Sequence, residues 1–139
     1  STLLSERNLD YLPLMRTIRL VRLIASYETG DFDWVDAELR SIQRQIAARR
    51  EQVFRTETEM LGFLKKIRIY TCSAERSDLW ETLGPVLEEL REDKYESQLL
   101  RTFDFTAWIE AKVLRRPLSA VLAEHLWQRQ HPIPLKKAD

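Results

Sequence analysis

The sequence predicts an all-α protein, and three observations support that prediction. The 139 residues include only 3 Gly, 5 Pro and a single Asn, at Asn8. A sheet protein of this length needs many turns, and turns are built largely from Gly, Pro, Asn and Asp. Leu, Arg, Glu and Ala, which favour helices, are abundant instead. No segment alternates with period two, whereas apolar residues recur at helical spacing in at least five segments.

The composition limits the classes of function. A chain of 139 residues predicts one domain, and its 22 basic and 22 acidic residues give no overall field for nucleic acid or an anionic membrane. One cysteine and two histidines exclude an internal disulfide and predict no metal site. No run approaches the roughly 18 apolar residues that a membrane span needs, and no signal segment opens the chain, so we expect a cytoplasmic protein. Because the first residue is Ser1 and not Met, we expect a fragment or a processed chain.

Helix one is predicted from Leu12 to Glu28. Asp10 is its predicted N-cap, and Pro13 suits the first turn, where a missing N–H costs nothing. Apolar residues cover more than one face of this helix, so we expect it to pack on two sides. Gly30 is predicted to end it, since Gly tolerates the left-handed conformation that follows a helix.

Helix two is predicted to follow after a short turn and to pack antiparallel to helix one. Asp33 is its predicted N-cap, with Asp36 three residues later as a variant of the capping box. A break is expected near 49–51, where the apolar pattern lapses. The predicted buried stripe of helix two contains Val35, Leu39, Ile42 and Ile46.

The remaining elements follow from the same patterns and make a single domain over 1–139. We expect a third helix over 53–71, a loop over 73–77, a fourth helix from Ser77 or Asp78 with a kink at Gly84–Pro85, and a hinge at Asp93–Lys94. We expect a fifth helix over 95–115 with Trp108 in the core, a last helix opened by Pro117, and an extended tail over 131–139. The first hairpin and third helix thus occupy 10–72, and a second helical group occupies 77–130.

Two stretches resemble known proteins. Tyr27-Glu28-Thr29-Gly30-Asp31-Phe32, followed by Leu39-Arg40-Ser41, resembles the hairpin turn of tetratricopeptide-like (TPR-like) proteins. The segment Phe103-Asp104-Phe105-Thr106-Ala107-Trp108-Ile109-Glu110-Ala111-Lys112 is similar to one that follows such hairpins near the C-terminus of long bacterial helical-repeat proteins of unknown function. The resemblance extends from Tyr11 to about Leu126. It implies a right-handed array of about six helices with a scaffold or interaction role, and it carries over no catalytic residues.

A dense basic run crosses the predicted second and third helices. Glu51 is the only acidic residue within it. Such a run is consistent with a site for phosphates or an acidic peptide, but also with a solvated helix face. Residues 75–96 hold eight acidic and three basic residues, which could face this run within one molecule or across a dimer. The run contains Arg40, Arg44, Arg49, Arg50 and Arg55.

A second set of arginines, Arg16, Arg19 and Arg22, recurs every three residues on helix one. On a helix packed from two sides, an arginine either pairs with a carboxylate or lines a groove, and pairing is favoured because an unpaired buried charge is costly. Trp34, in the first turn of helix two, is either a contact residue for a partner or part of the packing of the hairpin.

No arrangement of residues indicates catalysis or cofactor binding. His125 has Arg129 as its i, i+4 neighbour, which is no metal ligand, so we expect a surface histidine. Cys72 is expected to be a half-buried small hydrophobe. No Glu-x-x-His pair, phosphate-binding glycine loop, nucleophile elbow or dinucleotide fingerprint is present.

The sequence therefore predicts a non-enzymatic helical scaffold that binds a protein or peptide partner, with a homodimer as one alternative. A second hypothesis is a nucleic-acid-associated module that uses the arginine-rich face of helices two and three, which the balanced charge disfavours. An enzyme is a third hypothesis, which a concave pocket with convergent polar side chains would favour.

Overall fold

A computed structural model of the chain describes residues 2–48, 53–70 and 72–132, with side chains from Leu14 onward. Within these residues all regular structure is helical, which confirms the predicted all-α class. The helices are α1 (Thr2–Glu28), α2 (Phe32–Ala48), α3 (Arg55–Lys66), a 3₁₀ turn (Ile67–Ile69), α4 (Ser73–Glu92), α5 (Ser97–Leu100), α6 (Phe105–Leu114) and α7 (Leu118–Gln130). The described part thus holds seven α-helices where about six were predicted. The predicted break at 49–51 and the end of the tail lie outside the described residues.

The turn between α1 and α2 is built around Gly30, as predicted. Gly30 has a φ of +82°, and its N–H donates to the carbonyl of Tyr27 while the Asp31 N–H donates to the carbonyl of Ser26. This pair of bonds satisfies the last carbonyls of α1 as a Schellman motif.

The predicted N-cap of α2 was wrong by two residues. Asp31, not Asp33, accepts the N–H of Trp34 at 3.4 Å, because the turn leaves no residue between Gly30 and the cap.

Several other boundaries differ from the prediction. α1 begins at Thr2 and not at Leu12, so Asp10 and Pro13 lie inside it. α4 begins at Ser73, where a loop was predicted, and runs unbroken through Pro85 to Glu92. The propensity of the intervening residues to form helix outweighs the local loop signals there.

The predicted fifth helix is divided in two. Asp104 ends the connection after α5 and caps α6, since its carboxylate accepts the N–H of Ala107 at 3.1 Å. An aspartate that bonds a nearby backbone N–H competes with helix continuation, which is the reason for the break. α6 ends at Arg115, which has a φ of 53°, and α7 follows Pro117 as predicted.

The helix at the centre of the fold is α6, which packs against α3, α4 and α7. Every residue from Phe105 to Ala111 is buried, as expected for a helix covered on all sides. Trp108 and Leu39 are both core residues, each 2% exposed, as predicted. The Trp108 indole meets the rings of Tyr27 and Phe63 edge-to-face at 5.7 and 5.9 Å and donates to Glu28 at 3.0 Å. Trp108 therefore joins α1, α3 and α6.

The start of α3 depends on a residue far along the chain. Phe54 has extended geometry at the N-cap position and offers no side-chain oxygen, although Glu57 accepts its N–H at 3.1 Å. The carboxylate of Glu96 supplies the acceptor instead. It takes the N–H of Arg55 at 3.0 Å and both the N–H and the hydroxyl of Thr56 at 2.8 Å. Glu96 is 3% exposed, so these bonds are shielded from water.

Candidate functional site

The predicted interaction residues do not form one surface. Arg16 and Arg19 line a groove between α1 and α2, which we call the α1–α2 groove. Arg40 and Arg44 are exposed and lie about 200° around α2 from the groove-lining residues Glu38 and Ile42. Arg49 and Arg50 lie outside the described residues. The side of α2 that carries Arg40 and Arg44 therefore faces away from the groove.

The α1–α2 groove is an open cavity of about 460 Å³. Its apolar lining comes from α1, α2 and the residue before Phe54, and its polar lining comes from three arginines, two glutamates and one glutamine. It is lined by Met15, Arg16, Ile18, Arg19, Arg22, Glu38, Ile42, Gln45, Ile46, Val53 and Glu57.

Arg16 and Arg19 of α1 each pair with a carboxylate and also line the groove. Arg16 is 8% exposed and forms a buried salt bridge with Glu57 of α3, while its Nε has no hydrogen-bond partner. Arg19 donates to Glu38 at 3.0 Å and also to Gln45. These contacts confirm the predicted pairing with carboxylates for Arg16 and Arg19.

Arg22 makes a different contact. Its guanidinium lies over the Trp34 ring, 5.6 Å from the centroid, and no carboxylate of the described residues pairs with it. Trp34 is half-buried and packs against the main core. Of the two interpretations of Trp34, packing within the hairpin is therefore the observed one. Arg22, at the edge of the groove, contacts this ring and no carboxylate among the described residues.

The outward face of α1 carries large apolar side chains in contact with water. Leu14, Met15 and Ile18 are 44%, 61% and 47% exposed. The opposite face of α1 contributes Leu20 and Leu23 to the core. α1 packs against both α2 and α5, as predicted for a helix packed on two sides, and the face that carries these three side chains is left exposed. A contiguous exposed apolar face is unusual for a surface helix and marks an interaction site.

The basic run and the acidic segment meet at one point among the described residues. Arg55 lies 3.6 Å from Glu89 of α4, and both side chains are at least half exposed. A pair so open to solvent contributes little to stability. The contact does not extend to Arg40 or Arg44, so the complementarity predicted from sequence is limited to Arg55.

A second cleft was not predicted. It lies between α4 and α7, which both pack on α6, and consists of two adjoining pockets that share Arg91 and His125; we call it the α4–α7 cleft. Glu110 of α6 is buried at its base, and His125 of α7 faces Glu110 with Nε2 at 3.0 Å. The expectation of a surface His125 was wrong, because its side chain is only 13% exposed. The signal in the sequence was Glu110 itself, a lone acid within the apolar segment that became α6.

Glu110 is the centre of a charged network. It accepts from Arg91 of α4 at 3.1 Å and lies 3.9 Å from Arg116. Arg91 is fully engaged, since its Nε donates to Thr106 at 2.8 Å and its Nη1 to Glu88 at 3.0 Å. Such a network holds the side chains in fixed positions, because each buried charge has a partner.

Arg116 links this network to the surface of α7. It donates to Glu124 at 2.8 Å. This hydrogen bond lowers the pKa of the Glu124 carboxyl and raises the pKa of the Arg116 guanidinium. The pair keeps opposite charges in place at the rim of the α4–α7 cleft.

Cys72 is exposed, and not half-buried as predicted, because it precedes α4 at the surface. Its thiol lies 2.9 Å from a carboxylate oxygen of Glu75. Across 2–48, 53–70 and 72–132, no group of three or more His, Cys, Asp or Glu side chains is arranged to hold a metal ion. In the same residues, every helix is too short or too polar to cross a membrane.

Comparisons with known proteins do not identify a family for this chain. No family model, no curated protein and no solved structure matches the chain at a significant level. The function is therefore inferred from the two clefts.

Proposed function

We propose that this chain is a non-enzymatic helical scaffold that binds an amphipathic helix of a partner protein along the α1–α2 groove. The observation that carries the proposal is the apolar face of α1, formed by Leu14, Met15 and Ile18, beside a cavity of about 460 Å³. In the same proposal the chain is the C-terminal part of a longer, TPR-like protein.

The spacing of the exposed side chains favours a helical occupant. Leu14 and Ile18 lie one turn apart on α1, with Met15 beside them, so their side chains form a short ridge. Ridges of this kind pack into the grooves of a second helix. Met adapts to different partner shapes, because its side chain is unbranched and flexible.

The charges at the groove favour an acidic occupant. Arg22 is exposed and has no carboxylate partner among the described residues. A partner helix with apolar residues toward Met15 and Ile18 and a carboxylate toward Arg22 would match the apolar face and pair this charge. Charge-assisted hydrogen bonds of this type set register and specificity more than affinity.

The proposal is tested with a display library of amphipathic helical peptides selected against the immobilised full chain. We expect the selected peptides to carry acidic residues beside an apolar stripe. Ile18→Glu should abolish binding of the selected peptides, because it places a charge in the apolar face. Ile69→Glu is the matched control, since Ile69 is 69% exposed and lies on the 3₁₀ turn. Equal binding by both variants, or no selected peptide, would contradict the proposal.

A homodimer through the same face remains the alternative occupant. Sedimentation of the wild type and of Ile18→Glu separates the two cases. A dimer that becomes a monomer in Ile18→Glu would assign the groove to a second copy of the chain.

The positions of the arginines argue against the nucleic-acid hypothesis. A phosphate-binding face needs basic residues on one surface. Arg40 and Arg44 face away from the groove, whereas Arg16 and Arg19 are paired with Glu57 and Glu38.

A further inference from the structure

The α4–α7 cleft contains side chains that are fixed in position before any ligand arrives. The pocket of this cleft that lies toward α5 has a volume of about 460 Å³, and its lining includes Arg91, His125 and Asp104. Glu110 holds both Arg91 and His125 from below, at 3.1 and 3.0 Å. Side chains held in this way lose little conformational freedom on binding, which is the condition for a specific site.

The two ring nitrogens of His125 have different environments. Nε2 is bound to Glu110, whereas Nδ1 lies 4.0 Å from Oδ2 of Asp104, beyond hydrogen-bond distance. The other oxygen of Asp104 is engaged with Thr106 and with the N–H of Ala107. A single ligand oxygen at about 2.8 Å from each atom fits beside this gap, since that is the usual length of such bonds. A hydroxyl group suits the position, because it donates its one proton to the carboxylate and accepts from Nδ1 when that nitrogen carries a proton.

Two further arginines line the same cavity without a carboxylate partner among the described residues. Arg101 follows α5 and Arg129 lies near the end of α7, and both are exposed. The remaining carboxylate of the lining, Glu88, already accepts from Arg91 at 3.0 Å. The cavity therefore carries two uncommitted positive charges at its mouth. Guanidinium groups are the side chains best suited to a carboxylate or a phosphate.

We propose that the α4–α7 cleft binds a small organic oxyanion, a carboxylate or a phosphate monoester, that carries a hydroxyl group. Arg101 and Arg129 hold the anionic group, and the hydroxyl lies between Nδ1 of His125 and Asp104. This site shares no residue with the α1–α2 groove, so it does not depend on the scaffold function proposed above.

The test is an NMR titration of the isotope-labelled full chain with three probes: glycerol 3-phosphate, lactate and glycerol. We expect saturable shifts of the His125 and Arg129 resonances with at least one of the anions and none with glycerol. The anion that binds more tightly identifies the class of ligand. Absence of saturable shifts with both anions up to about 20 mM, well above the millimolar range of weak complexes, would overturn the proposal.

A pair of double variants separates a specific site from general attraction of anions. Arg101→Ala with Arg129→Ala should weaken binding at least about tenfold, the expected effect of losing charge-assisted bonds. Arg40→Ala with Arg44→Ala is the matched control, because it removes the same charge from exposed arginines on α2. We expect no change in the control. Equal weakening by both double variants would show that the anions follow net charge and would overturn the site.

Discussion

Each of the two clefts of this molecule contains a buried glutamate, but the two glutamates have different numbers of charged and polar partners. At the α1–α2 groove, Glu57 forms one ion pair, with Arg16, and accepts the N–H of Phe54, while the buried Nε of Arg16 has no acceptor. At the α4–α7 cleft, Glu110 meets Arg91, His125 and Arg116. The first arrangement lies beside the exposed apolar side chains of α1, which leave apolar surface for a large partner. The second is complete by itself and holds side chains ready for a small polar ligand.

The largest effect is expected at Trp108, which lies in the core between the helices that carry the two clefts. Trp108→Ala should cost about 3–5 kcal/mol, because the indole fills the core between α1, α3 and α6. A domain of this size has about 5–15 kcal/mol in total, so the variant should be poorly folded. Thermal or urea unfolding measures the loss. Trp127→Ala is the control, since Trp127 is 57% exposed and its loss should stay within about 0.5 kcal/mol. Similar melting of both variants would mean that the Trp108 indole does not pack in the core as described.

The comparison itself is tested by neutralising each buried glutamate. Removing one partner of a buried ion pair costs about 3–5 kcal/mol. Glu110→Gln should destabilise the protein more than Glu57→Gln, by about 1 kcal/mol or more, because Glu110 contacts three side chains, Arg91, His125 and Arg116, whereas Glu57 has the single side-chain partner Arg16. Urea unfolding of the two variants gives both values. A larger loss in Glu57→Gln would reverse the assignment of the complete network to the α4–α7 cleft.

The helix caps give a smaller and more local test. Asp104→Ala should cost about 1 kcal/mol, the usual value of an N-cap, and Asp31→Ala should cost less because its bond to Trp34 is 3.4 Å long. Asp33→Ala should have almost no effect, although the sequence predicted it as a cap. The unfolding midpoints of the three variants give the order of their losses in stability. A clear loss in Asp33→Ala would restore the capping position predicted from sequence.

The smallest effect is expected for the pH dependence of stability that Tyr27 of α1 contributes. Burial raises the pKa of Tyr27 above its ordinary value of 10.0. Because the folded-state pKa is the higher one, the neutral phenol's contribution is fully present below pH 10.0 and is lost as the pH rises through the folded value. Wild-type stability should therefore fall more steeply in alkali than that of Tyr27→Phe. Parallel curves for the two proteins would show that the phenol ionises as freely in the folded chain as in the unfolded one.

Local features were predictable from the sequence, and contacts between distant segments were not. The buried stripe of Val35, Leu39 and Ile42 and the turn at Gly30 follow from spacing and backbone geometry within a few residues. The division of the predicted fifth helix was missed because helical periodicity continues on both sides of Asp104. The helix breaks there because the carboxylate of Asp104 accepts the backbone N–H of Ala107. The spacing of apolar residues gives no sign of such a bond.

The candidate sites were harder to predict for the same reason. Arg16 was expected to pair, but its partner Glu57 lies 41 residues away and on another helix. His125 meets Glu110 only because α7 folds back on α6, and the residues nearest to His125 in sequence give no sign of it. Arg16 and Arg19 were predicted as site residues from the repeat of arginines on one helix. Arg101 and Arg129 belong to no such repeat and needed the packed structure to be found.

The carboxylate of Glu96 makes the two halves of the chain depend on each other. Its oxygens occupy the first two amides of α3 from a position beyond α4. A fragment that stops at Glu92 would lose both this acceptor and the Tyr95 ring that stacks on Phe54, so the start of α3 would be open to water. The C-terminal half therefore stabilises the start of α3 in the N-terminal half. A split protein made of the two halves should recover its α3 only when both pieces are present together.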